Sequence, residues 1–297
     1  MRAAIEAACG SAVVEARTQP GGFSPGVAAR VVCADGRRFF IKAVSAEANP
    51  RSPGLHRREG QVLAALDPVI VARGLPIPRL RGTVDRDPWV ALVLDDVAGR
   101  HPAQPWVAGD IERVLAALDR LAGALTPAPI PVDAVGDLYA GAFTGWRTLA
   151  SSPPPRRLDR WSSSRLDDLA ALEATWAGHA AGETLLHTDV RADNLLLTAD
   201  GVVLVDWPCA CGGAGFVDVV FFAPSVAMQG GPEPAALLAM SAAGRGAGRR
   251  AVAAVVCAVA GYLTSQSLGP APAGLPTLRE FQAAQADIAR RWLAELL

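Results

Sequence analysis

The chain has 297 residues, 51% apolar and 19% charged, with a net charge of -1. Its length and apolar share exclude wholesale disorder and allow one large domain or two packed lobes. The near-zero charge excludes the strong single-sign field that holds nucleic acid or an acidic membrane, and five irregularly spaced cysteines argue against a disulfide framework.

In chain order, Met1–Gly10 contains Glu6 and no sustained apolar block, so no secretory signal is expected there. Val27–Cys33, Arg38–Val44 and Trp89–Leu94 are β-rich runs, with a hairpin signal at Asp35-Gly36 between the first two. Arg57–Leu66 has helical composition, with Val62, Leu63 and Leu66 on one face. Pro76, Pro78 and Gly82 then break the pattern. From Asp110, the expected N-terminal cap, the chain turns helical: Ile111, Val114, Leu115, Leu118, Leu121, Ala122 and Leu125 fall on one face. Ser151–Arg157 is rich in Pro and Ser and reads as a loop. Further helices are expected at Ser164–His179, Pro234–Ala243, Arg249–Leu263 and Leu278–Leu297. Between them, Leu195–Leu197 and Val202–Val205 read as strands around an Asp200-Gly201 turn. The longest apolar run, Ala251–Leu263, falls short of the roughly 20 residues that span a bilayer and reads as a buried helix. The expected protein is soluble and cytoplasmic, with no membrane or nucleic-acid partner. Its fold class is α+β: a small β-rich lobe over 1–94, a hinge at 95–99 and a mainly helical lobe over 100–297.

The segment that points to chemistry is His187-Thr188-Asp189-Val190-Arg191-Ala192-Asp193-Asn194, followed by Asp206 at the end of an apolar run. Phosphoryl transfer needs a carboxylate to hold and deprotonate an attacking hydroxyl, and oxygen ligands for the magnesium that neutralises phosphate charge. Asp189 fits the first role; Asn194 and Asp206 fit the second. Arg191 has three open readings: a γ-phosphate contact, a substrate-anion contact, or a pair with a nearby carboxylate. His187 reads as a structural hydrogen-bonding residue, and Asp218 as an acceptor for backbone N–H groups of the loop. Asp95 and Asp96 read equally as solvated charges. Cys209 and Cys211, one residue apart with no second pair, read as small buried residues and not as metal ligands.

His-x-Asp-x-x-x-x-Asn followed by an Asp in an apolar strand resembles the kinase catalytic and metal-binding segments. Asp206-Trp207, where protein kinases have Asp-Phe-Gly, and Gly215–Val219 after it are similar to the aminoglycoside phosphotransferase and choline kinase branch. The resemblance runs from about Gly21 to Phe222. It implies a bilobal protein-kinase-like fold and a small-molecule O-phosphotransferase that uses Mg2+ with ATP or GTP. It also implies that Lys42, the only lysine, binds phosphate while paired with Glu59. Leu92–Gly99 would be the hinge, whose backbone at Asp95 and Val97 holds the purine, and Gly21–Gly26 with Ser24 the loop over the nucleotide. The sequence departs from the pattern in this loop, where Pro25 removes a backbone N–H. It departs again at Thr188, where Gly is common, and at Arg191-Ala192-Asp193, where His-Pro-Gly is common.

The acceptor is expected to be a hydroxyl-bearing small molecule, antibiotic-like or metabolic and poor in positive charge. The region after Asp218 carries Arg245, Arg249 and Arg250 against only Glu233, Glu280, Asp287 and Glu295. A resistance role is one expectation. The alternatives are a protein kinase, which the missing Asp-Phe-Gly and Ala-Pro-Glu oppose, and a catalytically silent nucleotide-binding module.

Overall fold

The computed structural model describes residues 1–19, 26–151, 158–272 and 275–297. Ser24 with most of its loop, and most of Ser151–Arg157, lie outside the described residues. In chain order the elements are α1 (Arg2–Cys9), β1 (Val13–Thr18), β2 (Val27–Cys33), β3 (Arg38–Ser45), α2 (Ser52–Arg73), β4 (Leu80–Arg86), β5 (Trp89–Asp95), α3 (Ala108–Ala124), α4 (Val135–Leu138), α5 (Gly145–Ala150), α6 (Arg160–Ser163), α7 (Leu166–Glu173) and α8 (Trp176–Ala180). There follow β6 (Thr184–Leu186), β7 (Leu195–Leu197), β8 (Val202–Leu204), β9 (Cys211–Gly213), α9 (Val217–Met228), α10 (Pro234–Met240), α11 (Ala242–Arg245), α12 (Arg249–Leu268) and α13 (Leu278–Leu296). Contacts divide the chain into one unit of Met1–Pro102 with Ala192–Ala210, and another of Ala103–Arg191 with Cys211–Leu297.

In the first unit, β1 to β5 form an antiparallel sheet in the order β1-β2-β3-β5-β4. Period-two alternation sends Val31, Cys33, Phe39, Ile41, Ala43, Val84, Ala91 and Val93 into one core, against which Ile5 and Ala8 of α1 pack. The helix α1 and the strands β1 and β4 add to the elements expected from sequence. Gly82, read as a breaker, sits inside β4 at a register shift against β5, and a Cβ there would press on Ala8 at 3.2 Å. The helix α2 covers the other face. It runs through Pro68 to Arg73, past the expected end at Leu66. Pro68 and Ala64, whose carbonyl loses its helical partner, are both exposed, so water can serve that carbonyl. The β7–β8 hairpin joins this unit because both its edges are tied to it. Leu204 N donates to Pro76 O at 3.0 Å, and Leu197 N donates to Arg100 O at 2.7 Å. The boundaries expected from sequence had assigned this hairpin to the helical body.

In the second unit, α12 packs against α5, α7, α8, α9 and α13. It is long and apolar enough to cross a bilayer by length and composition, and longer than its marker run Ala251–Leu263. Val252 to Gly261 is nevertheless buried on all sides by protein, as in a core helix. The α5–α12 crossing needs glycine on both sides: a Cβ on Gly145 would overlap the backbone of Gly261, and one on Gly261 would overlap Glu173 and Trp146. The expected helix Ser164–His179 is broken into α7 and α8. Thr175 turns both its N–H and its hydroxyl on Leu172 O, at 3.0 and 2.8 Å, which tightens the chain out of the α pattern. Asp110 lies inside α3, whose N-cap is Val107; its Oδ2 accepts from Ala103 N at 3.0 Å.

Glu173, wholly buried, stands in for the missing cap of α5: its carboxylate accepts from Trp146 N and Arg147 N, each at 3.0 Å. Glu173→Ala strands two N–H donors and is expected to cost about 2–4 kcal/mol in denaturant unfolding. Glu173→Gln, which keeps one acceptor oxygen, should lose about half as much.

Candidate functional site

Lys42 lies on β3 between Ile41 and Ala43, which face the core, so its side chain takes the opposite face, the one under α2. Glu59 belongs to the buried stripe of α2 with Val62, Leu63, Leu66 and Ile70, and therefore faces the sheet. The Lys42 ammonium donates to Glu59 Oε1 and Oε2 at 2.7 and 2.9 Å and to Asp206 Oδ1 at 2.8 Å. Side-chain exposure is 16% for Lys42, 2% for Glu59 and 37% for Asp206. Burial works against the ammonium, but the two carboxylates outweigh it and lift its pKa above the ordinary lysine value. One ammonium thus serves two carboxylates, and burial pushes the Glu59 carboxyl upward while Lys42 pulls it down.

Asp206 reaches this cluster from the β7–β8 hairpin. Leu195 pairs with Leu204, and Val205 N donates to Asn194 O at 3.0 Å, so the ladder continues to the open end of the hairpin. Asn194 and Asp206 thus stand at the same end. Asp206 has a left-handed backbone, φ 73, which turns its carboxylate off the strand line and onto Lys42. The next residue, Trp207, is buried and donates its indole N–H to Leu204 O at 3.0 Å, anchoring the turn.

The segment from Asp95 to Val97 is held by arginines. Asp95 accepts from Arg81 Nε and Nη2 at 2.5 and 3.1 Å. Asp96, read from sequence as a possible solvated charge, is instead 4% exposed. It lies 3.4 Å from Arg30 Nε of β2 and 3.0 Å from Arg38 Nε of β3. Arg30 also donates to Val97 O at 2.9 Å. The one available signal for this clamp was an arginine in the middle of the apolar strand Val27–Cys33.

In the second unit the loop around Asp189 hangs from Asp218. Asp218 Oδ2 accepts from His187 N at 3.0 Å and Oδ1 from Thr188 N at 2.7 Å. Burial pushes the Asp218 carboxyl upward, against the lowering by His187 and the two N–H bonds. His187 is 1% exposed, and its Nδ1 accepts from Asp189 N at 3.2 Å, a structural role. Thr188 has φ 59, a left-handed conformation that costs a β-branched residue about 1–3 kcal/mol. This is the position at which Gly is common in the resembled pattern. Tyr139, at the end of α4, donates its hydroxyl to Thr188 Oγ1 at 3.0 Å. Arg191 Nη1 lies 3.5 Å from Asp189 Oδ1, the nearby-carboxylate reading of that arginine.

Around Tyr139 runs an aromatic cluster. Tyr139 stacks on Phe143 at 5.1 Å between centroids and meets Phe221 edge-on at 5.6 Å; Phe143 also touches Trp176 and Tyr262. Burial raises the Tyr262 phenol pKa, Arg279 lowers it and Asp189 raises it, so its hydroxyl stands in the fields of both charges. Arg279 donates to three neutral oxygens, those of Pro270, Gln266 and Gln282.

Of the residues picked out by sequence, the structure brings Lys42, Glu59 and Asp206 into direct contact, sets Asn194 at the same hairpin end, and pairs Asp189 with Arg191. It ties Asp95 and Val97 to arginines. Arg30, Tyr139, Tyr262 and Arg279 carried no local motif and were missed.

The sequence matches the model of the phosphotransferase enzyme family APH over residues 20–255. No curated protein matches it. The fold is similar to an aminoglycoside phosphotransferase from Alicyclobacillus acidocaldarius, at 17% identity over 94% of this chain and 91% of that one, with TM-score 0.57. It is similar also to choline kinase LicA from Streptococcus pneumoniae, at 11% identity over 95% and 94%, with TM-score 0.59. A third relative is a thermostable aminoglycoside phosphotransferase APH(4)-Ia, at 15% identity over 99% and 96%, with TM-score 0.61. At these identities the structural likeness establishes the protein-kinase-like fold, and the family match covers most of the sequence. The chain belongs to the APH phosphotransferase enzyme family.

Proposed function

We propose that this enzyme transfers the γ-phosphate of ATP to a hydroxyl of a small organic acceptor poor in positive charge. The observation that carries the proposal is the Lys42 ammonium held by Glu59 and Asp206 at 2.7–2.9 Å. A fixed, desolvated cation of this kind suits the phosphates of a nucleotide. ATP as donor is supported by the relative APH(4)-Ia, described in complex with AMP-PNP and hygromycin B.

In this proposal Asp189 accepts the proton of the acceptor hydroxyl. The acceptor oxygen then bonds to the γ-phosphorus as the bond to the β–γ bridging oxygen breaks, and ADP leaves. Arg191 holds the Asp189 carboxylate or the transferring phosphoryl group. Asp95 and Val97 present backbone groups to the purine. Asn194 and Asp206 would hold Mg2+: an amide and a carboxylate are hard oxygen donors at one hairpin end. When bound, the ion screens charge on the phosphates. Arg279, near Tyr262 and hydrogen-bonded to neutral oxygens, favours acceptors that are neutral or acidic, which fits an antibiotic or metabolite that is not a polycation.

The test is ADP release by the purified protein with Mg-ATP against a panel of hydroxylated antibiotics and metabolites. Acceptor-dependent release that EDTA abolishes and added Mg2+ restores is the expected result. If neither ATP nor GTP raises the melting temperature with Mg2+ present, nucleotide transfer is excluded. Nucleotide stabilisation that no acceptor converts to turnover, across a chemically broad panel, would favour the silent binding module.

A further inference from the structure

We propose that Tyr139 is a positioning residue that holds Thr188, and through it Asp189, in the left-handed turn of the catalytic loop. The proposal rests on the role given to Asp189 above and adds a residue that no motif contains.

Thr188 has φ 59 and is 6% exposed. Glycine enters that backbone region freely; threonine, branched at Cβ, does not. A threonine there persists only if its surroundings hold it. Two contacts do so. Asp218 Oδ1 accepts the Thr188 N–H at 2.7 Å, a bond that a glycine would make equally. The shorter Tyr139 contact depends on the threonine: the hydroxyl donates to Thr188 Oγ1 at 3.0 Å, whereas its approach to Thr188 O, at 3.5 Å, is at the outer limit of a hydrogen bond. The Tyr139 ring is itself fixed by the stack on Phe143 and the edge contact with Phe221, so its hydroxyl is presented in one place. Asp189 follows Thr188 directly, and a change in the Thr188 backbone angles re-aims its carboxylate. Glycine's conformational freedom is thus replaced by a side-chain clamp, and Thr188 with Tyr139 should act as one unit.

That makes the proposal testable by a double-mutant cycle on the full chain with Tyr139→Phe, Thr188→Gly and the double variant. The readouts are Mg-ATP hydrolysis, with water as the acceptor, and thermal unfolding. Tyr139→Phe is expected to lower the hydrolytic kcat about tenfold while the KM for ATP stays within about twofold. Added to Thr188→Gly, the same change should alter kcat by less than about twofold, whatever the rate of that background. In melting, Tyr139→Phe should lower Tm by about 2–4 °C in the parent and by less than about 1 °C in the Thr188→Gly background.

Equal losses in both backgrounds, or no loss in the parent, overturn the proposal, because Tyr139 then does not act through Thr188. A rise in the KM for ATP in place of a fall in kcat overturns it as well. A parent that hydrolyses no ATP, alongside coupled melting, upholds the clamp, and the acceptor panel then decides phosphoryl transfer separately. Uncoupled melting sinks the clamp whatever the parent's rate.

Discussion

Asp189→Ala is expected to cut acceptor-dependent ADP release by on the order of 10²–10⁴-fold, the usual loss when a positioned general base is removed. Asp189 is 31% exposed on its side chain, and its ion pair with Arg191 is partly exposed too. It sits beyond the Asp218 anchor, whose bonds to His187 N and Thr188 N do not involve its carboxylate. The fold should therefore survive, and stabilisation by Mg-ATP should remain within about 1 °C of the parent's. Asp189→Asn should behave like the alanine variant, because an amide keeps the shape but takes no proton. Arg191→Ala should cost less, since the 3.5 Å ion pair is partly exposed and weak. A variant lacking Asp189 that turns over at the parent rate would disprove the assigned base. Loss of nucleotide stabilisation together with activity would move Asp189 from proton transfer to nucleotide binding.

Lys42→Met is expected to lower both stability and turnover, and the two effects can be separated. In the parent the ammonium satisfies both oxygens of Glu59, which is 2% exposed. Without it a buried carboxylate faces Asp206 with no cation between them. Breaking a buried pair on one side typically costs about 3–5 kcal/mol. Lys42→Met/Glu59→Gln removes the stranded charge and should recover most of that stability. It should not recover turnover, because the cation proposed to meet the phosphates is still missing. Lys42→Arg should also fail to restore activity, since a planar fork cannot place a point charge between two carboxylates 2.7–2.9 Å away on different elements. If the double variant is as unstable as Lys42→Met, burial of Glu59 is not the source of the loss. If it turns over normally, Lys42 has no part in phosphate binding.

The sequence by itself determined the residue types for the chemistry and the local shapes that carry them. The Asp200-Gly201 signal and the apolar runs beside it define the hairpin, whose pairing brings Asn194 and Val205 opposite each other. Period two on β3 dictates that Lys42 points away from Ile41 and Ala43, and the helical stripe of α2 dictates that Glu59 points with Leu63 and Leu66. These are short-range regularities, legible because a side chain's face follows from its position along one element. Only the tertiary structure decided what meets across elements: that α1 covers the sheet, that the hairpin belongs with Met1–Pro102, and that Arg30 and Arg38 close on Asp96. The Tyr139–Thr188 bond, across 49 residues of chain, is of the same kind. Such contacts depend on packing between distant segments, where no local spacing rule operates and a lone arginine or tyrosine looks like any other surface residue.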